Sequence, residues 1–144
     1  MKFYFVPYHI VKDKVHSIVE TNKEEFAKSY GDVEVDYGHF ETLSALGMAY
    51  IAMAVKDDVV GFAGFVINHN ATHKGAEAEN VVMYFDKEHR GKKLINDLLE
   101  YSKKEFAKIG VPKMVATIKS DALARMLRGN NFTKQYEIWE SVCE

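Results

Sequence analysis

Apolar residues recur along this chain with two different periods, and the points where one gives way to the other divide it into elements. Lys2 to Tyr8 is β-branched and aromatic and reads as a strand stopped by Pro7, which has no N–H to give a ladder. Ile10, Val11, Val15, Ile18 and Val19 then recur at helical spacing, and Phe26 extends the face into a second segment that stops at Gly31. A short helix, roughly Asp36 to Leu46, turns Phe40, Leu43 and Leu46 to one side and ends at Gly47. Two apolar runs, Ala49 to Lys56 and Val59 to Asn68, flank the acidic turn Asp57-Asp58 and predict a hairpin. Beyond the polar loop His69 to Gly75, a long strand runs from Glu77 to Phe85. The helix Lys92 to Ile109 stops at Gly110, with Pro112 behind it. Met114 to Ile118 is a short strand, Ser120 caps a helix through Arg128, and Phe132 to Val142 is a last strand. The order β-α-α-β-β-β-α-β-α-β predicts an α/β fold, a mixed and mainly antiparallel sheet flanked by helices, as one domain over residues 1–144.

Composition narrows the function classes. With 47% apolar and 12% aromatic residues in 144, the chain can build its own core. Nineteen basic against 21 acidic side chains leave a net charge of −2, so no global field draws in nucleic acid or an anionic membrane. Cys143 is the single cysteine, which excludes an intramolecular disulfide and suits a reducing compartment. Neither a signal peptide nor a membrane-spanning run is evident, and the expected location is the cytoplasm.

The chemistry concentrates between Tyr84 and Leu99, where a strand ends in a charged turn carrying Arg90-Gly91 and passes straight into an amphipathic helix. The first amides of a helix lack intrahelical partners and carry partial positive charge, so this junction suits a pyrophosphate. An ordinary β-turn-α connection, with Gly91 relieving strain, is the plainer reading of the same residues. Lys87, His89, Arg90, Lys92 and Lys93 form the one dense basic cluster, but Glu88 interrupts it and aromatic interleaving is lacking, which argues against nucleic acid. His69 and His73 have a spacing that binds metal on a helix, whereas Asn70 and Thr72 mark a loop, so no metal site is expected. By the period-two rule Glu77, Glu79, Val81, Met83 and Phe85 share one strand face, and Ala78, Asn80, Val82 and Tyr84 the other. Glu77 and Glu79 read equally as solvated charges at a frayed strand start.

The element order and the Arg-Gly turn resemble the GNAT superfamily of acetyl-CoA-dependent N-acetyltransferases over nearly the whole chain. The family's motif A is usually Gln or Arg, two residues, Gly, one residue, then Gly or Ala. Arg90 fills its first position, while Lys93 and Ile95 stand where small residues are usual. Glu88-His89-Arg90-Gly91-Lys92 and the pair Leu98-Leu99 complete the likeness, as does the helix Leu123 onward running into Asn131-Phe132. Glu79-Asn80-Val81-Val82-Met83-Tyr84-Phe85 and the chain length look most like the short GNAT proteins of tailed phages, which would place the protein in the host cytoplasm.

The resemblance implies acetyl-CoA as cosubstrate and direct attack by an amine in a ternary complex. It implies Glu79 as general base and backbone N–H groups of Met83, Tyr84 and Phe85 as partners of the oxyanion and of the cofactor's amide arm. Such preorganised amides can be worth about 3 kcal/mol. The remaining cofactor-binding set is Arg90, Gly91, Lys92, Lys93, Leu94 and Ile95, with Ser120. Leu127 occupies the place where many members carry a Tyr that protonates the leaving thiolate, and Tyr84, Tyr101 and Tyr136 are candidate substitutes whose plainer reading is core or surface. The partner implied is a small-molecule or protein amine acceptor, with a homodimer left open. The departures at Lys93, Ile95 and Leu127 motivate the alternative, a GNAT-fold binding or virion-associated module without catalysis.

Overall fold

In the computed structural model, which describes residues 1–30, 35–69, 75–116, 121–129, 131–134 and 141–143, one five-stranded sheet carries the helices on its two faces. The elements run β1 (Lys2–Pro7), α1 (Tyr8–Thr21), α2 (Lys23–Tyr30), α3 (Tyr37–Ala45), β2 (Ala49–Lys56), β3 (Asp58–His69), β4 (Ala76–Phe85), a 3-10 turn (Lys87–His89), α4 (Lys92–Lys108), β5 (Lys113–Ala116) and α5 (Asp121–Arg128). The strands lie in chain order, antiparallel from β1 to β4 and parallel between β4 and β5. This is the mixed α/β architecture predicted from the alternation of periods.

Each face of the sheet has its own core. Phe65, Phe85 and Ala78 meet Leu98 and Phe106 of α4 on one side. On the other, Ile51, Met53 and Phe62 meet Tyr8, Val15 and Val19 of α1 and Phe26 of α2. Leu94, Leu98, Leu99, Tyr101 and Phe106 of α4 face inward as their spacing predicts. Gly110, at φ +82°, closes that helix while the Val111 N–H returns to the Phe106 carbonyl at 2.9 Å.

Several predicted boundaries move. Pro7 pairs opposite Tyr50 and is also the N-cap of α1, so Tyr8 opens the helix and does not end the strand. Ile10 and Leu46 are largely exposed, because the inward stripes of α1 and α3 run through Tyr8, Val15 and Val19 and through Phe40 and Leu43. Phe26 lies on a helix of its own, giving three helices before β2 among the described residues. The hairpin turn narrows to Asp57 at φ +63°, with Asp58 already in β3. His69, expected to open the loop, is the last residue of β3. Ile118, Ser120 and Tyr136 lie outside the described residues. Of the predicted last strand, Phe132, Thr133, Lys134, Ser141 and Val142 carry no strand, and its middle lies outside the described residues.

Candidate active site

A β-bulge in β4 organises the site. Gly64 of β3 pairs with Val82 and the next residue, Phe65, pairs with Asn80, leaving Val81 without a register partner on β3. The buried Asn80 side chain fills the distortion, its Nδ2 donating to the Gly64 and Val82 carbonyls at 3.0 Å each. Gly64 is required for contact reasons, since a Cβ there would sit 2.6 Å from Cγ1 of Val82.

The extra residue reverses the face assignment read from strict alternation. Ala78, Met83 and Phe85 pack on the α4 side, whereas Val82 and Tyr84 pack on the side of α1 to α3. Glu79 pairs opposite Val66 and therefore shares the face of Val82 and Tyr84, not that of Met83 and Phe85. Neither acidic residue is a loose charge at a frayed end. Glu79 is half-buried and accepts from Asn68 Nδ2 at 2.6 Å, and Glu77 lies 3.6 Å from the Lys113 ammonium.

Past the bulge, β4 runs to Phe85 and enters the turn that delivers α4. Among the described residues, its parallel register with β5 spans Glu77↔Lys113 to Asn80↔Ala116, five residues short of Phe85. Gly91 is the N-cap of α4 with extended backbone, φ −71° and ψ 139°, and no side chain caps the helix. Its conformation does not require glycine, and a Cβ there would meet nothing within 4 Å. The amides of Lys92, Lys93 and Leu94 thus open a first turn beside clear space, a fit for an anionic group.

The side chains of this turn do other work. Arg90 donates from Nε to the Phe85 carbonyl at 2.7 Å, pairs with Glu25 of α2, and lies 5.9 Å from the Tyr84 ring centroid. It ties the turn to β4 and α2, so what it offers a phosphate is chiefly the position of the backbone behind it. Lys93 pairs with Asp97 one turn on at 2.7 Å. Leu94 and Ile95 pack against the α4-side core, so the branched Ile95 side chain fills core volume.

Of the substitute acids, Tyr84 stacks on Phe26 at 5.6 Å, and burial followed by a hydrogen bond to Asp86 pushes its hydroxyl pKa up. Tyr101 packs on Phe3 at 5.4 Å, and burial raises it too. Leu127 is buried, with its carbonyl accepting from the Phe132 N–H at 3.1 Å.

The sequence did not reveal a cavity of about 330 Å³ between the sheet and helices α1 to α3. Its floor includes Ile51, Gly64, Val81 and Val82, so it reaches the bulge. Tyr8 and Tyr37 stand in its wall. The Tyr8 hydroxyl meets His16 Nε2, the His16 ring lies 3.8 Å from the Tyr37 ring, and the Tyr37 hydroxyl donates to Glu20 at 3.1 Å. Both phenols are pushed up to about 12, Tyr8 by burial and then by Glu41, Tyr37 by burial and its bond to Glu20. No group of three potential metal ligands, and no helix long and apolar enough to cross a membrane, occurs among the described residues.

A sheet of this order with a bulged fourth strand delivering an open helix N-terminus defines an acetyltransferase-type fold. The family model for the acetyltransferase (GNAT) family matches residues 15–128, and the chain belongs to that family, whose acyl donor is acetyl-CoA. Solved structures share the fold at low identity. An aminoglycoside acetyltransferase from an uncultured soil metagenomic sample, in complex with sisomicin, is 12% identical with a TM-score of 0.74, covering 99% of this chain and 95% of that one. Aminoglycoside 6'-N-acetyltransferase AAC(6')-IG from Acinetobacter haemolyticus is 14% identical with a TM-score of 0.72, covering 100% and 99%. A predicted acetyltransferase from Clostridium acetobutylicum, solved with acetyl-CoA, is 14% identical with a TM-score of 0.73, covering 98% and 95%. No curated protein sequence matches the chain.

Proposed function

We propose that this protein is an acetyl-CoA-dependent N-acetyltransferase in which an amine attacks the thioester directly in a ternary complex. The observation that carries the reading is the continuity of the bulged β4 with the Gly91-capped start of α4, inside the region that matches the family. Backbone amides of Gly91 to Leu94 would hold the pyrophosphate, since the Ile95 N–H already donates to the Gly91 carbonyl at 3.3 Å, with Ser120 further along the chain. The β4 backbone from Met83 to Phe85 would hold the amide arm and the thioester oxygen. Acetyl-CoA supplies an activated acyl group, and the rest falls to the chain.

An N–C bond forms, the C–S bond breaks, the amine nitrogen loses one proton and the thiolate gains one. Glu79 is the carboxylate we assign to the amine's proton, since it stands on the cavity face two residues before the bulge and Asn68 orients it. It does not line the cavity itself, so a water would relay the proton. With Leu127 apolar and buried, the thiolate draws its proton from solvent; a thiol of reference pKa about 8.5 is a fair leaving group without an acid. The same Leu127 favours a second reading, a GNAT-fold binding module without turnover. The phage likeness of Glu79 to Phe85 would set either activity in a host cytoplasm. Calorimetry with acetyl-CoA, then release of coenzyme A thiol over a panel of amines, separates the two: binding with release supports the enzyme, and binding without release supports the module.

A further inference from the structure

The cavity between the sheet and α1 to α3 carries the argument one step further, to the kind of amine accepted. It reaches the bulge through Val81 and Val82, and its wall is largely aromatic, with Tyr8, Phe26, Tyr37 and Phe40 above the sheet. Asp36 is its one charged residue among the described lining. That carboxylate is already engaged as the N-cap of α3, accepting from the His39 N–H at 3.0 Å. The Tyr8 and Tyr37 hydroxyls are likewise engaged, by His16 and Glu20.

An ammonium group moved from water into such a lining loses several kcal/mol of hydration, and the lone Asp36 carboxylate, which keeps its charge while it caps α3, can offset one such charge at most. Each extra charge on an acceptor adds to that loss, and only the reacting amine, delivered neutral at the bulge, escapes it. Size points the same way. A dry cavity of about 150 Å³ holds benzene, so about 330 Å³ suits a body of one or two rings.

We propose that the acceptor is a monoamine borne on an apolar, ring-sized body, an arylalkylamine in its simplest form, and not a polycationic amino sugar or polyamine. This rests on the transferase reading for its chemistry, but the cavity's occupancy can be read without turnover.

The test uses the full chain with phenethylamine and tryptamine as apolar probes and spermidine and sisomicin as polycations. Binding is followed by calorimetry or ligand-observed magnetic resonance, with and without acetyl-CoA, and turnover by thiol release. The expected result is binding of phenethylamine to the protein alone and, with acetyl-CoA, a kcat/KM at least tenfold above that for either polycation. Val19→Phe, which fills the cavity from α1 away from β4, should weaken phenethylamine at least tenfold with acetyl-CoA affinity kept. Should that variant fail to fold, Phe40→Leu, which enlarges the half-buried rim, should shift preference toward tryptamine. Acetylation of spermidine or sisomicin at equal or greater efficiency overturns this inference and leaves the transferase reading standing. Phenethylamine binding that the variants alter, in a protein that acetylates nothing, supports the cavity's assignment and removes the transferase reading. No phenethylamine binding at millimolar concentration, with or without acetyl-CoA, overturns the inference outright.

Discussion

The Asn80 side-chain amide and the Val82 carbonyl, two residues apart in sequence, are joined at 3.0 Å across the bulge, and the same amide nitrogen reaches Gly64 on the neighbouring strand. This buried side chain supplies the hydrogen-bond donor that the distorted ladder lacks. Asn80→Asp keeps the shape but sets a carboxylate against two carbonyls. It should lower unfolding free energy by about 1–3 kcal/mol, the range for leaving buried polar groups unsatisfied, read from the urea midpoint at unchanged slope.

Arg90 links three elements through Phe85, Glu25 and the Tyr84 ring. Its pair with Glu25 is about one-third exposed on both sides, so the ion pair itself contributes little, and the charge-assisted bond to the Phe85 carbonyl dominates. Arg90→Lys cannot reproduce the fork and should cost roughly 1–2 kcal/mol. In a double-mutant cycle, Glu25→Gln should add less than its own cost once Arg90 has been replaced. Full additivity would mean that the two residues act independently.

Tyr8 and Tyr37 set an alkaline limit. Each has a folded pKa of about 12 against an ordinary 10.0, so above pH 10 the unfolded chain gives up phenolic protons that the folded chain retains. Stability from these groups is fully present below pH 10 and is lost as pH rises from 10 to 12. Tyr8→Phe should flatten the fall of melting temperature across that window, while lowering stability by about 1 kcal/mol at neutral pH through the lost bond to His16.

How far the sequence could be read depends on whether the signal was local. The α4 stripe, the Gly110 stop and the open helix start after Gly91 are written in consecutive residues, and they stand where the periodicity puts them. The bulge at Val81 is not. The nine residues from Glu77 to Phe85 end in an unbroken apolar run, Val81 to Phe85, in which nothing marks one residue as extra, and the slip moved Glu79 to the opposite face from Met83 and Phe85. Asn80 was the available clue, an amide inside an apolar run that has to find partners when buried. The roles of Arg90 and the cavity were beyond local pattern, since Glu25 and the helices that roof the cavity come from a part of the chain distant from β4 and its turn.

If Glu79 receives the amine's proton, Glu79→Gln should keep fold and acetyl-CoA affinity and lower turnover roughly a hundredfold. The deficit should be largest at low pH, where few amines are neutral, and should shrink as pH nears the amine's own pKa, about 10.4 for a lysine-like amine. An unchanged pH profile with a working acceptor would make Glu79 a positioning partner of Asn68 and nothing more.

Acetyl-CoA is expected to bind along the end of β4 and the start of α4. Titrating acetyl-CoA into isotope-labelled protein and following backbone amides tests it most directly. Saturable shifts at Met83, Tyr84 and Phe85 and at Gly91 to Ile95, with a rise in melting temperature by mass action, are the predicted result. No binding at millimolar acetyl-CoA, or saturable binding that leaves both of these segments unmoved, would contradict it.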